Sequence, residues 1–123
     1  MGGKHSRNKG KVGERLFRDI LKEWGFEDAR RGVQYQGGKD SKDIFCPSAY
    51  PLHIEVKFVE SLNIHAALDQ ASTDAAKEEI PVVAHKRSHE DWKITLWAAD
   101  FLELFVGYLD GQKKQKAGSE EKV

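Results

Sequence analysis

Leu52-His53-Ile54-Glu55-Val56-Lys57-Phe58-Val59 is the stretch on which the fold turns. Side chains alternate along a strand, so Ile54, Val56 and Phe58 face one side while Glu55 and Lys57 emerge on the other. The first side can pack a core. The second carries charge inside an apolar segment, where ionised groups are costly unless paired or bound to a metal. Upstream, Asp43-Ile44-Phe45-Cys46 reads as a shorter strand, and Pro47 to Pro51 reads as a turn joining it to the first. That connection predicts Asp43 beside Glu55, so two carboxylates and a lysine converge.

Such a trio suits metal-assisted phosphodiester hydrolysis. Mg²⁺ prefers oxygen ligands and keeps several of its waters, and it can acidify a bound water while clamping a phosphate. A nearby lysine then steadies the nucleophile or the developing negative charge. Taken alone, Glu55 and Lys57 read equally well as a cross-strand salt bridge on an exposed sheet face. Asp43 and the apolar flanks shift the balance toward chemistry.

Working outward, Val12, Leu16, Phe17, Ile20, Leu21 and Trp24 recur at helical spacing, and Gly25 ends the run. Glu14 lies at the margin of this stripe, either leaning toward the carboxylates or serving as an ordinary first-turn glutamate. A strand over Phe26 to Val33 and a Gly-containing loop over Gln34 to Lys42 follow. Ser61 or Asn63 is placed to cap a second helix running to about Glu79, with Ile64, Leu68, Ala71 and Ala75 on one face. Gln70 lies off that face. Ile80 to Ala84 and Trp92 to Trp97 read as strands, and Asp100 with Glu103 caps a last short helix, Phe101 to Leu109. This order predicts an α/β domain with a mixed central β-sheet flanked by helices.

The 123 residues suffice for one core and one domain. With 39% apolar and 33% charged residues the composition is that of a soluble protein, and no stretch has the apolar length of a membrane span. Met1 to Lys11 is polar, without the apolar core of a signal peptide, so a cytoplasmic, intracellular location is expected. A lone Cys46 in an apolar strand reads as a packed, inert thiol. The five histidines lack the close clustering of a zinc site, and His53 reads as structural although it shares a strand face with Glu55 and Lys57.

The net charge of zero hides an asymmetry: residues 1–42 carry eleven Lys/Arg against six Asp/Glu, and the remainder carries the opposite imbalance. The N-terminal third is therefore the expected phosphate-binding surface. Lys4, Arg7, Lys9 and Lys11 form a basic arm over residues 1–11, read as flexible until bound, with a solubilising tail as the bland alternative. Arg30, Arg31, Lys39 and Lys42 are further DNA-binding candidates. Residues 12–110 would form the domain and 111–123 a frayed polar tail.

Together these features resemble the PD-(D/E)XK nuclease superfamily, and more narrowly the archaeal and phage Holliday-junction resolvases of the Hjc type. The resemblance runs from Lys9-Gly10-Lys11-Val12-Gly13-Glu14-Arg15, through Asp43 and Glu55-Val56-Lys57, to a second helix with its Gln, and covers roughly residues 9–105. It implies a restriction-endonuclease-like core and a catalytic set of Glu14, Asp43, Glu55, Lys57 and Gln70. It also implies a metal held by Asp43, Glu55, the Val56 carbonyl and Glu14. Mg²⁺ is the expected ion, Mn²⁺ a substitute, with no small-molecule cofactor. Branched double-stranded DNA would be the substrate and a homodimer the working form, since two symmetric incisions match a two-fold dimer. The chain departs from these resolvases in the loop before Asp43, where Ser41 is not a clear counterpart of the family's functional serine. Two other readings stay open: a related nuclease acting on nicks, flaps or DNA ends, and a non-catalytic DNA-binding module.

Overall fold

The computed structural model describes residues 3–32 and 42–121, with side chains over 9–32 and 42–117. The elements are α1 (Gly3–Glu23), β1 (Arg30–Arg31), β2 (Ile44–Phe45), β3 (Leu52–Phe58), α2 (Ile64–Asp74), β4 (Ile80–Lys86), β5 (Lys93–Thr95) and α3 (Ala98–Glu121). Parallel β3 and β4 and antiparallel β5 form a mixed sheet in the order β3-β4-β5, beside a small antiparallel pair, β1 with β2. The fold is α/β, as the sequence predicts. Parallel strands need a crossover, and α2 supplies it between β3 and β4.

The two sheet faces pack against different helices. Ile54 and Val56 of β3 join Ile80, Val82 and Ala84 of β4 and Phe17 and Leu21 of α1 in the main core. On the opposite face Val83 packs with Ala67, Leu68 and Ala71 of α2. Alternation along β4 explains the division, since adjacent residues point to opposite sides. Helix α1 ends where its glycine requires: Gly25 sits at φ +100°, and Phe26 and Gly25 donate to the Leu21 and Lys22 carbonyls in a Schellman arrangement. Asn63 rather than Ser61 caps α2, its side chain accepting from Ala66 N at 3.1 Å.

Gly13 sets the distance between α1 and the sheet. A Cβ there would lie 2.7 Å from Phe58 Cβ, whereas one at Gly10 meets open space. Gly13→Ala should therefore cost roughly 1–3 kcal/mol through overpacking, while Gly10→Ala should be neutral or stabilising, up to about 1 kcal/mol, through helix propensity. Thermal melts of the two variants check this; equal shifts would show that Gly13 is not the spacer.

Several boundaries differ from the sequence reading. Residues 3–11, expected as a flexible arm, continue α1 as helix; Gly3–Lys11 contains no proline, and Gly10 is accommodated despite its weak helix propensity. The strand expected over 26–33 shrinks to Arg30–Arg31, since a turn through Phe26 and Ala29 occupies its start. Helix α2 stops at Asp74 instead of Glu79, and Glu79 turns back to accept from Ala76 N. Helix α3 starts at Ala98 and runs through Gly111 to Glu121, replacing both the short 101–109 helix and most of the expected tail. Gln112 to Ala117 is rich in good helix formers, which extend a helix without any amphipathic pattern. No helix among the described residues is long and apolar enough to cross a membrane.

Candidate active site

The site forms where β2 meets the free edge of β3. Val56 N, on the edge of β3 away from β4, donates to Asp43 Oδ2 at 2.8 Å, which ties the carboxylate at the start of β2 to the middle of β3. Both Asp43 and Glu55 are buried, 9% and 8% exposed. Burial pushes the Asp43 carboxyl up to about 7, helped by the Glu55 charge and a hydrogen bond to Glu55, against the opposing Val56 N–H. Two carboxyl groups thus share a restricted space in which Asp43 resists ionisation without a cation. The expected meeting of Asp43 and Glu55 is present.

Behind Glu55 lies a row of polar groups that the sequence reading did not assign. His53 is fully buried on the same strand face, and its Nε2 lies 2.9 Å from Glu55 Oε1. Its Nδ1 stands 3.6 Å from Glu79 Oε1 without a hydrogen-bond partner. Glu79 in turn holds Lys42. Burial pushes the Glu79 carboxyl up, but Lys42, Ala76 N–H and His53 outweigh it, leaving a net lowering. The two-residue period of β3 pointed to His53. Glu79 was hidden, because only the parallel register Leu52↔Ile80 brings the start of β4 beside the start of β3.

Lys57 follows Glu55 on the same face, beside His85 of β4, and makes no ion pair among the described residues. Glu14 reaches the site from α1: its Oε1 takes Arg31 Nε at 3.4 Å, and its charge adds a minor upward push on Asp43. Gln70 is exposed on α2 and donates to Asp74 at 2.9 Å, with no contact to Asp43 or Glu55.

Among the cations proposed for DNA whose side chains are described, Lys9, Arg30, Arg31 and Lys42 are engaged within the protein. Lys9 pairs with Glu60 at 2.8 Å and lies 4.7 Å from the Phe58 ring centroid; Lys9, with the Ser88 hydroxyl and N–H also donating, lowers the Glu60 carboxyl to about 2. Arg30 covers the Phe45 ring at 4.5 Å, Arg31 holds Glu14 and Lys42 holds Glu79. Lys11 is exposed. Lys4 and Arg7 lie on α1 with side chains outside the described set, and Lys39 and Ser41 lie outside the described residues. Burial raises the Cys46 thiol, which contacts Asp28 at 3.3 Å, as suits an unreactive group.

The donor set fits a hard cation. Among the described residues no group of three or more His, Cys, Asp or Glu side chains converges to hold a metal unaided. Two carboxylates do converge, with the Val56 backbone between them, and the suppressed ionisation of Asp43 is what a cation would relieve. Two protein carboxylates supplemented by a carbonyl and waters is the ligation Mg²⁺ favours.

A family model described as "Phage putative PDDEXK endonuclease" matches residues 5–106. That span takes in α1, both short strands, the β3-α2-β4 unit, β5 and the first third of α3. No curated protein and no solved structure matches the sequence.

Proposed function

The chain belongs to the phage PDDEXK endonuclease family, and from that premise we propose that it is a Mg²⁺-dependent, structure-selective DNA endonuclease, a Holliday-junction resolvase acting as a homodimer. The convergence of Asp43 and Glu55 on the β3 edge, with Lys57 next along that face, carries this reading. A bound divalent ion would supply Lewis acidity and a more acidic water. Asp43 and Glu55 hold it through oxygen, with the Val56 carbonyl as a further ligand. Lys57 places a fixed cation beside them, where it counters charge developing on the phosphate.

His53, through its Nε2, keeps the Glu55 carboxylate in one orientation, as a partner behind a metal ligand does. Glu14, linked to Arg31, adds negative potential at the rim rather than a close ligand. Gln70 stays available on α2 for a role that requires it to leave Asp74. The N-terminal turns of α1, with Lys4, Arg7 and Lys11, extend a basic helix toward a phosphate backbone.

Asp43, Glu55 and Lys57 are arranged for chemistry on the phosphate backbone, which carries no base sequence, so selectivity should come from DNA shape. With Mg²⁺, a synthetic four-way junction should be bound and cut by paired, symmetric incisions at concentrations that leave a linear duplex of the same sequence intact. Equal cleavage of both substrates moves the protein to a nuclease of nicks, flaps or ends. Binding without any scission in Mg²⁺ or Mn²⁺ leaves the non-catalytic module.

A further inference from the structure

From a line of side chains crossing the sheet we infer a second phosphate-binding subsite beside the candidate active site, in which Lys93 and His85 hold a DNA phosphate neighbouring the one that is cut. The inference rests on the nuclease reading above. Lys57 of β3 stands opposite His85 of β4, and His85 in turn stands opposite Lys93 of β5. Paired residues on adjacent strands share a face, so all three lie on the α2 side, where Val83 packs with Ala67, Leu68 and Ala71. Adjacent strands are about 4.8 Å apart, so the line extends roughly 10 Å from the lysine placed in the chemistry. That reach suits two successive phosphates of one strand.

The far part of the line opens into a cavity. Among the described residues, a space of about 390 Å³ is bounded by the β3–α2 connection, the first turn of α2 and the facing ends of β4 and β5. It lies at the carboxyl end of the two parallel strands, the usual place for a ligand in an open α/β sheet. Val59, Leu62 and Ile64 give it an apolar side that suits a deoxyribose, and His85, Arg87 and Lys93 give it a polar side that suits the phosphate. His85 is held in place, its Nε2 2.9 Å from Thr95 Oγ1. Burial, with the Lys93 charge, pushes its imidazole down, so His85 supplies a neutral hydrogen bond and Lys93 the charge.

One acid regulates the subsite. Glu90 pairs with Arg87 at 2.6 Å and with Lys93 at 3.2 Å, although the two cations are 59% and 60% exposed. Exposed pairs of this kind contribute little, so a phosphate can displace the carboxylate from Lys93 at small cost. The same carboxylate repels the incoming anion, and its removal should strengthen binding.

The test is binding to the DNA that the wild type cuts, junction or linear, measured by fluorescence anisotropy in Ca²⁺. Linkages on either side of the mapped cut are made neutral one at a time as methylphosphonates. One of these replacements should weaken the wild type about ten-fold, and Lys93→Ala, itself bound about ten-fold more weakly, should lose that sensitivity. Lys93→Ala should also flatten the slope of log affinity against log salt by about one, whereas His85→Ala should weaken binding without changing it. Glu90→Gln should bind at least about three-fold more tightly. Lys77→Ala, at an exposed lysine in the turn before β4, should match the wild type at every linkage. A Lys93→Ala variant that keeps the full methylphosphonate penalty at every linkage, or a Glu90→Gln variant no tighter than wild type, would overturn the subsite and leave Asp43, Glu55 and Lys57 in place. A wild type that cuts no DNA in Mg²⁺ or Mn²⁺ would overturn the nuclease reading and the subsite with it.

Discussion

Lys57→Ala should reduce strand scission by at least ~10²–10³-fold while junction affinity stays within a few-fold of wild type. A preorganised charge acting on the developing transition state is worth that much, and most DNA affinity comes from backbone contacts made elsewhere. The position suits a clean test, because Lys57 is only partly buried and makes no ion pair among the described residues, so its removal strands no partner. Glu55→Gln should act likewise by removing a metal-binding charge while keeping its shape. Excess EDTA should abolish cleavage by the wild type, and Ca²⁺ should allow binding without turnover. Scission by Lys57→Ala within a few-fold of wild type, measured on a nicked or branched substrate, would remove β3 from the chemistry.

Asp43→Asn should abolish cleavage and at the same time stabilise the metal-free fold at pH 8. The sign follows from the carboxyl being raised from 3.8 to about 7 by burial and the neighbouring Glu55. Its protonated form is favoured in the folded state, so this stabilising contribution is complete below the unfolded value and is lost as pH rises through about 7. Asparagine keeps an oxygen for Val56 N–H without the charge. The variant should melt roughly 5 °C or more above wild type at pH 8, and that advantage should shrink toward pH 4. Mg²⁺ should raise the melting temperature of the wild type at pH 8 and leave Asp43→Asn nearly unmoved. A variant that melts below wild type across the whole range would mean that Asp43 is held by its hydrogen bond and is not strained by its charge. A stability gain with lost activity is the usual pattern where a site keeps like charges close for function.

Much of this was open to reading from the chain. The alternation in Leu52–Phe58 made Glu55 and Lys57 share a face, because strand periodicity is a local property of the backbone. The helical spacing from Val12 to Trp24 and its stop at Gly25 were legible for the same reason. Asp43 could be placed beside Glu55 because the intervening segment is short and rich in turn residues. Propensity without pattern was misread at both ends: the basic start of α1 and the polar Gln112–Ala117 stretch are helical, although neither repeats apolar residues.

What the sequence determined by itself, then, is the order of elements, the mixed α/β character and the pairing of Asp43 with the Glu55-Val56-Lys57 strand, all set by short-range periodicity and tight turns. The tertiary structure alone decided which groups stand behind and around that trio. Glu79 meets His53 only through the parallel β3–β4 register, Lys42 and Arg31 pair with Glu79 and Glu14, and Gly13 is the contact glycine because α1 crosses β3 at Phe58. Such contacts join residues far apart in the chain, and their geometry depends on how helices and strands pack, which no local pattern encodes.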